Sequence, residues 1–437
     1  MKKLMMLIFI ANLVFAQQQI FTLQESLEIG LMNSKDLKIS QSKVNYSEAK
    51  LAEVKSQFYP QFKFLGNYTR LSDNLPPFQV SMPILPTPIV ISEPILNNYT
   101  FKLGFTQPIF TGMKLLSNKK SAEKSLQASA IDFSIETNEA AFNIYTAFWN
   151  FYKSKEIKKV VEKTLTQMEN HLNDAKNFYE QELIAKNDLL KLEIQYSNTK
   201  LMLIDAENAV KLARIAFNKS IGAALEMNSE IEVNENNINE SEFNLSEIIV
   251  EALKNRDELK SMNYKISASQ SQIDAANSNW LPSLYLSGNY YYNNPNQRFQ
   301  PIENKFNYNW DVGITMSWDV WNWGQTSAQA RQAEETKIQL ETNYNLMMEN
   351  IHMEVHSNYL NLQKAKEKLK VNRISLDQAE ENLNLVNEKF AVQIVNSTEV
   401  IDAELLKLQA ETNLKTAEVD YQIAKTRLSK SLGRRIY

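Results

Sequence analysis

Two groups of side chains in this 437-residue chain have types and spacings that chemistry could use. His352 and His356 stand four apart with Glu354 between them, so one helix face could offer two imidazoles to zinc. The zinc-helix signature places glutamate directly after the first histidine, and Met353 occupies that position. Only His171 remains as a further imidazole, and there is no cysteine to complete a ligand set. The reading is therefore no metal and no cofactor, with both histidines as solvated flanks of a packed Val355. The second group is Glu399 and Asp402, three apart and so on one helix face. Helix-start acids satisfy the macrodipole, and Asn396 could cap that helix with Glu399 completing a capping box. No phosphate-binding glycine loop and no Gly-x-Ser-x-Gly elbow occurs, as expected with nine glycines in the whole chain. An enzyme is not expected.

The elements that must carry these residues are very long helices. Met113 to Ile221 and Gln325 to Leu432 contain neither glycine nor proline, and glycines flank both runs. In the second run Val355, Leu362, Leu369, Leu376, Leu383 and Phe390 recur every seven residues. Ile351, Asn358, Ala365, Asn372, Ala379 and Val386 form the companion seam, a sustained heptad that predicts supercoiled packing. The first run keeps the phase more loosely through Ile144, Phe151, Leu165, Leu172 and Tyr179, with Lys158 as an exception. From Gly112 to a turn near Leu183, one helix would reach roughly 100 Å.

The formal charge of −4 implies neither nucleic acid nor an anionic membrane surface as partner. Residues 1–16 read as a secretory signal, with Lys2 and Lys3, an apolar stretch Leu4 to Phe15, and Val14-Phe15-Ala16 at its end. The mature chain repeats itself. Phe21 to Glu25 returns as Phe243 to Glu247, and Gly66-Asn67-Tyr68 as Gly288-Asn289-Tyr290, both at a shift of 222. Asn150, Lys155-Glu156 and Ile221-Gly222 return as Asn361, Lys366-Glu367 and Leu432-Gly433 at a shift of 211. The expected organisation is a first repeat over 17–222, a connector over 223–245 and a second repeat over 246–437.

Each repeat opens with an amphipathic helix, about 22–56 and 246–278, and then changes period. Strands are expected at 59–70, 99–110, 281–292 and 307–319, each with one apolar and one polar face, at a length that crosses a bilayer. The long helices are expected at 113–182, 187–221, 325–392 and 397–432. Five of the six tryptophans fall within 280–323, as an interfacial girdle requires. A soluble sheet with its apolar face on the helices is the competing reading. A barrel in lipid must close, and four strands are too few, so the strands must come from several chains. Residues 72–98 hold most of the 11 prolines and an apolar run Met82 to Ile91; an irregular surface loop is expected there rather than a cover over a pore mouth.

The chain resembles the TolC-type outer-membrane efflux proteins, the outer-membrane factors, from about Phe21 to Gly433. The carriers are Leu23 to Leu27 before Asn33 and Leu37, Phe58-Tyr59-Pro60, Gln107 to Gly112, and Leu432-Gly433. Tyr179 to Leu190 and Phe390 to Ala403 resemble the family's turns between long helices. The resemblance implies an α+β membrane protein: a homotrimeric twelve-stranded β-barrel in outer-membrane lipid, four strands per chain, continuing into an α-helical coiled-coil barrel across the periplasm. It implies an exit duct of a tripartite efflux or type I secretion system. The partners it implies are a periplasmic adaptor (membrane fusion) protein and an inner-membrane RND, ABC or MFS transporter. Glu399 and Asp402 match the family's inward acidic positions near the periplasmic constriction, with Asp188 opposite Glu399 in the first repeat. Threefold symmetry would turn each into a carboxylate ring favouring cations. Leu183, Ile184, Ala185, Ile394, Val395 and Asn396 match the helix tips that would meet the adaptor or pump. Glu182 and Gln393 depart from the glycine usual at those turns, which puts the tip geometry in question. The alternative function is a trimeric coiled-coil surface or scaffold protein without a pore.

Overall fold

The computed structural model describes residues 19–84, 86–233 and 244–437. The signal reading of residues 1–16 lies outside the described residues, as do Leu85 and 234–243 of the connector. In chain order the elements begin with β1 (Gln19–Phe21), α1 (Leu23–Asn33), α2 (Lys35–Ser56), β2 (Gln61–Arg70), β3 (Phe78–Val80), β4 (Ile89–Ser92) and β5 (Asn97–Thr111). They continue with α3 (Lys114–Glu180), α4 (Lys186–Ser220), β6 (Ser229–Ile231), α5 (Leu245–Asn255), α6 (Asp257–Asn277), β7 (Ser283–Asn294), β8 (Asn307–Ser317), α7 (Gln325–Ala391) and α8 (Ser397–Ser431). Two units are built from these: the described residues within 19–42, 131–260 and 345–437 make one, and those within 43–130 and 261–344 make the other.

The first unit is helical. Its entry is a capping box: the Thr22 hydroxyl accepts from the Glu25 N–H at 3.3 Å, and the Glu25 carboxylate accepts from the Thr22 N–H at 2.9 Å. The opening helices expected as single pieces over 22–56 and 246–278 are each broken, at Ser34 (φ −58, ψ 124) and at Arg256 (φ −59, ψ 121). The breaks make seats for the ends of α4 and α8. Gly222 follows α4 in the left-handed region at φ 71, where an added Cβ would lie 2.6 Å from Asn33 Cβ. Asn33 donates to the Ile221 carbonyl at 3.4 Å, and Arg256 donates to the Ser431 carbonyl at 3.2 Å. Both bonds satisfy C-terminal carbonyls that a helix leaves without partners.

The core gathers Phe21, Leu27, Ala141, Ile144, Phe148, Phe151, Phe217, Ile221 and Ile231, with the Phe151 and Phe217 rings stacked at 5.8 Å. β1 and β6 pair in parallel at its rim, so the expected connector contains a strand. Along α7 all twelve seam residues are buried or half-buried, and Val355 is sealed completely. Along α3 the looser phase fails towards the C-terminus. Tyr179 is exposed, and Met168 and Ala175 carry the seam. The neighbours change along α3, from Phe217 and Ile231, through Ala206 and Leu408, to Leu192. One heptad phase cannot face all of them.

The second unit contains an antiparallel sheet in the order β2–β5–β7–β8. Its strands begin and end within two residues of the expected bounds. β5 takes a proline in a central position because the register shifts between Pro108 and Phe110, a bulge that removes the need for the missing N–H. β2 and β8 are edges: among the described residues neither has a second partner strand. The loop expected as irregular over 72–98 contains the hairpin β3–β4, in which Ile89, Val90 and Ser92 pair with Val80, Gln79 and Phe78. β-branched residues drive that pairing despite the surrounding prolines.

Candidate channel lining and helix tips

The strand registers fix two faces. On one, Phe62, Phe64, Tyr68, Phe101, Leu103, Tyr308, Trp310, Val312, Ile314 and Met316 are all exposed, Trp310 at 69% and Ile314 at 72%. Among the described residues no element of this unit covers that face, which argues against a sheet buried on its own helices. Aromatic pairs run across it, Tyr68 on Tyr99 at 4.9 Å and Tyr292 on Phe306 at 4.9 Å. A large exposed apolar surface marks a contact with lipid or protein. Trp318, Trp321 and Trp323 after β8 are also exposed, with the Trp318 indole donating to the Trp280 carbonyl at 3.2 Å.

The other face is polar: Lys63, Asn67, Thr100, Lys102, Thr106, Ser287, Asn289, Asn309, Asp311 and Thr315. Asn289 donates to Asp311 at 2.7 Å and Arg298 donates to its other oxygen at 2.9 Å.

The helix turns of the first unit share one geometry. Glu182 has φ 59; its N–H bonds the Tyr179 carbonyl, and the Leu183 N–H reaches back to Phe178, both at 2.9 Å. Gln393 has φ 60; its N–H bonds Phe390, and the Ile394 N–H bonds Lys389, both at 2.9 Å. Gly222 and Gly433 close α4 and α8 with the same pair of bonds. These are Schellman caps, in which glycine is usual because it enters the left-handed region without strain. The doubt raised by Glu182 and Gln393 is resolved in favour of the cap: both residues take the conformation that glycine would.

Leu183, Ala185, Ile394 and Asn396 are exposed at the turns, while Ile184 and Val395 are half-buried, Ile184 against Leu172, Ala175 and Leu192. Exposed Val392 belongs with them and was missed. Asn396 caps α8, accepting from the Thr398 and Glu399 N–H groups at 2.9 and 3.3 Å. Glu399 and Asp402 are exposed and hold no ion pair among the described residues. Asp188 is half-buried and faces Lys191 at 3.5 Å, and Lys191 also donates to Thr398 at 3.1 Å. Lys191 thus ties the first turn of α4 to that of α8.

One buried carboxylate went unseen. Glu404 is 1% exposed, its Oε1 is 3.2 Å from His171 Nε2, and its Oε2 has no hydrogen-bond partner among the described residues. The signal was available, since Val400, Glu404 and Leu408 recur every four residues and put a carboxylate on a buried stripe. His352 and His356 lie exposed on either side of Val355, and Glu354 accepts from Arg256 at 3.0 Å.

An uncovered apolar sheet face with open edges, joined by chain to heptad-packed helices, defines a β-strand membrane protein with long helical hairpins. The profile of the outer membrane efflux protein family matches residues 27–223 and 248–434, and the chain belongs to that family. It is 19% identical over 413 residues to the outer membrane efflux protein BepC of Brucella suis, covering 94% of this chain and 85% of that one. It is 18% identical over 332 residues to the outer membrane protein TolC of Vibrio cholerae, 76% of each chain. The CmeC outer membrane channel of Campylobacter jejuni superposes with a TM-score of 0.78 at 14% identity, covering 94% of this chain and 85% of that one. The fold is that of the TolC-like channels. The protein is an outer-membrane efflux channel with a periplasmic helical portion, not an enzyme.

Proposed function

We propose that three copies of this chain close a twelve-stranded barrel in the outer membrane, continuing into a coiled-coil barrel, and that this is the exit duct of a tripartite efflux or type I secretion assembly. The observation that carries the reading is the sheet itself. Its apolar face is exposed and its edges β2 and β8 are unpaired, and lipid tolerates neither open edges nor unsatisfied backbone. The repeats over 17–222 and 246–437 then contribute two strands and one helical hairpin each. The tips around Leu183 and Ile394 offer exposed apolar side chains to a periplasmic adaptor or to an inner-membrane RND, ABC or MFS transporter. Conduction is passive, because the chain has no nucleotide-binding motif and the energy belongs to the partner.

Glu399, Asp402 and Asp188 are assigned to the periplasmic gate. Glu399 and Asp402 are unpaired acids that threefold symmetry multiplies to six, whereas Asp188 is offset by Lys191. The protein purified in detergent is expected to have the mass of three chains and to form channels in planar bilayers. Glu399→Gln with Asp402→Asn is expected to lower cation preference and weaken block by multivalent cations. A monomer soluble without detergent overturns the barrel. A trimer that never conducts favours the scaffold reading. Unchanged selectivity with a lower melting temperature leaves the two acids as helix-start residues.

A further inference from the structure

The four strands of the sheet carry only four charged residues: Lys63, Arg70, Lys102 and Asp311. Arg70 sits at the end of β2, bonded to Asp73 at 2.5 Å and to Asn97 at 3.2 Å. The other three share the polar face at neighbouring levels. Lys63 is opposite Gly104, which is opposite Asn289, which is opposite Asp311. One level along, Leu65, Lys102, Tyr291 and Asn309 align across the same four strands. Lys63 and Lys102 are therefore diagonal neighbours on adjacent strands, close enough for their fields to add.

Asp311 does not offset them. Its two oxygens are already taken, one by Asn289 and the other by Arg298, which reaches it from the loop after β7. The Arg298 guanidinium lies 5.2 Å from the centre of the Tyr291 ring, and the Lys102 ammonium lies 5.4 Å from the same ring. One phenol thus holds two cations near each other. Neither Lys63 nor Lys102 has a carboxylate partner among the described residues. At Gly104, opposite Lys63, a Cβ would come within 2.5 Å of Asn289 Oδ1, so the Asn289 carboxamide packs directly over that glycine.

We propose that Lys63 and Lys102, with Arg298 held beside them on Tyr291, form an anion-attracting step on the polar face of the sheet, selecting carboxylate, phosphate or sulfate groups on passing solutes. The step rests on the reading that this face lines a pore. In a trimer it presents six uncompensated positive charges, and charge of one sign in a low-dielectric channel concentrates the opposite ion by an order of magnitude or more.

The test is single-channel recording in planar bilayers, with inorganic tripolyphosphate as the probe, in the Glu399→Gln, Asp402→Asn background so that those acids do not mask the result. The expected result is micromolar-to-millimolar block by tripolyphosphate that weakens about tenfold in Lys63→Gln, Lys102→Gln. In a salt gradient, the reversal potential of that variant should move towards cation preference. Lys63→Arg, Lys102→Arg should keep the block, separating charge from folding. Migration of each variant as a detergent-stable oligomer shows that it has assembled. Open channels that tripolyphosphate does not block, or blocks equally in the Gln variant, overturn the step and leave the pore reading standing. Protein that assembles but never conducts overturns the pore reading, and the step with it.

Discussion

Glu182 and Gln393 show how a residue can hold a conformation that its side chain opposes. A non-glycine residue in the left-handed region costs about 1–2 kcal/mol, and glycine costs about 0.4–1 kcal/mol through its freer unfolded state. The difference predicts that Glu182→Gly and Gln393→Gly each raise stability by about 0.5–1 kcal/mol, read as a higher denaturation midpoint. Gly222→Ala should do the opposite, because the new Cβ would meet Asn33 Cβ at 2.6 Å in addition to the strained φ. The acid residues divide similarly by what surrounds them. Sequence spacing placed Glu399 beside its cap, Asn396, because capping is local chemistry. The four-residue recurrence of Val400, Glu404 and Leu408 could place Glu404 on a buried stripe, but not beside its partner His171, more than two hundred residues away. Lys191 stands three residues from Asp188, so that pair was legible as a local one, whereas its tie to Thr398 needed the fold.

At the scale of elements, the heptad of α7 and the period-two strands were legible because each is a repeat written in consecutive residues. The breaks at Ser34 and Arg256 were not, because their cause lies in helix ends, Gly222 and Gly433, far along the chain. α5 carries a further long-range tie: Arg434 donates through Nε and a terminal nitrogen to both oxygens of Glu251, at 2.7 and 2.9 Å. That hydrogen bonding holds the Glu251 carboxyl below its ordinary 4.5. A lowered folded-state value adds stability above the unfolded value and loses it as pH falls through the folded one. Half-exposed, the pair should contribute about 0.2–1 kcal/mol. The gap in melting temperature between wild type and Glu251→Gln should therefore narrow from pH 7 towards acid; a constant gap would mean that the contact acts by packing alone. The strand faces give a sharper test. Leu286 and Ile314 are directly paired on the apolar face, while Ser287 and Thr315 point to the polar one. Leu286→Arg or Ile314→Arg should cost about 2–4 kcal/mol per chain at mid-bilayer and reduce assembly. Ser287→Arg and Thr315→Arg should assemble and change conductance. Equal damage from both pairs would mean that the faces are exchanged.

For the whole molecule, the deciding quantity is the number of chains that close the sheet. Each chain supplies four strands with open edges at β2 and β8, so two copies would make eight strands and three would make twelve. Both counts are allowed for membrane barrels, and backbone satisfaction alone does not choose between them. Any closed ring pairs β8 of one copy with β2 of the next, because these are the edges of the sheet among the described residues. The native chain has no cysteine, so engineered thiols report that pairing without background. Thr69→Cys on β2, combined in turn with Asn307→Cys and Asn309→Cys on β8, samples neighbouring registers on one face. Mild oxidation in outer membranes should give a ladder of linked chains that stops at three for the register that pairs, with either single cysteine alone giving none. A ladder stopping at two would mean an eight-stranded barrel. A ladder running past three would mean that the edges join without closing, and absence of any ladder across both registers would mean that β2 and β8 do not meet. Three is the outcome that the proposed twelve-stranded barrel requires, since each chain brings four strands.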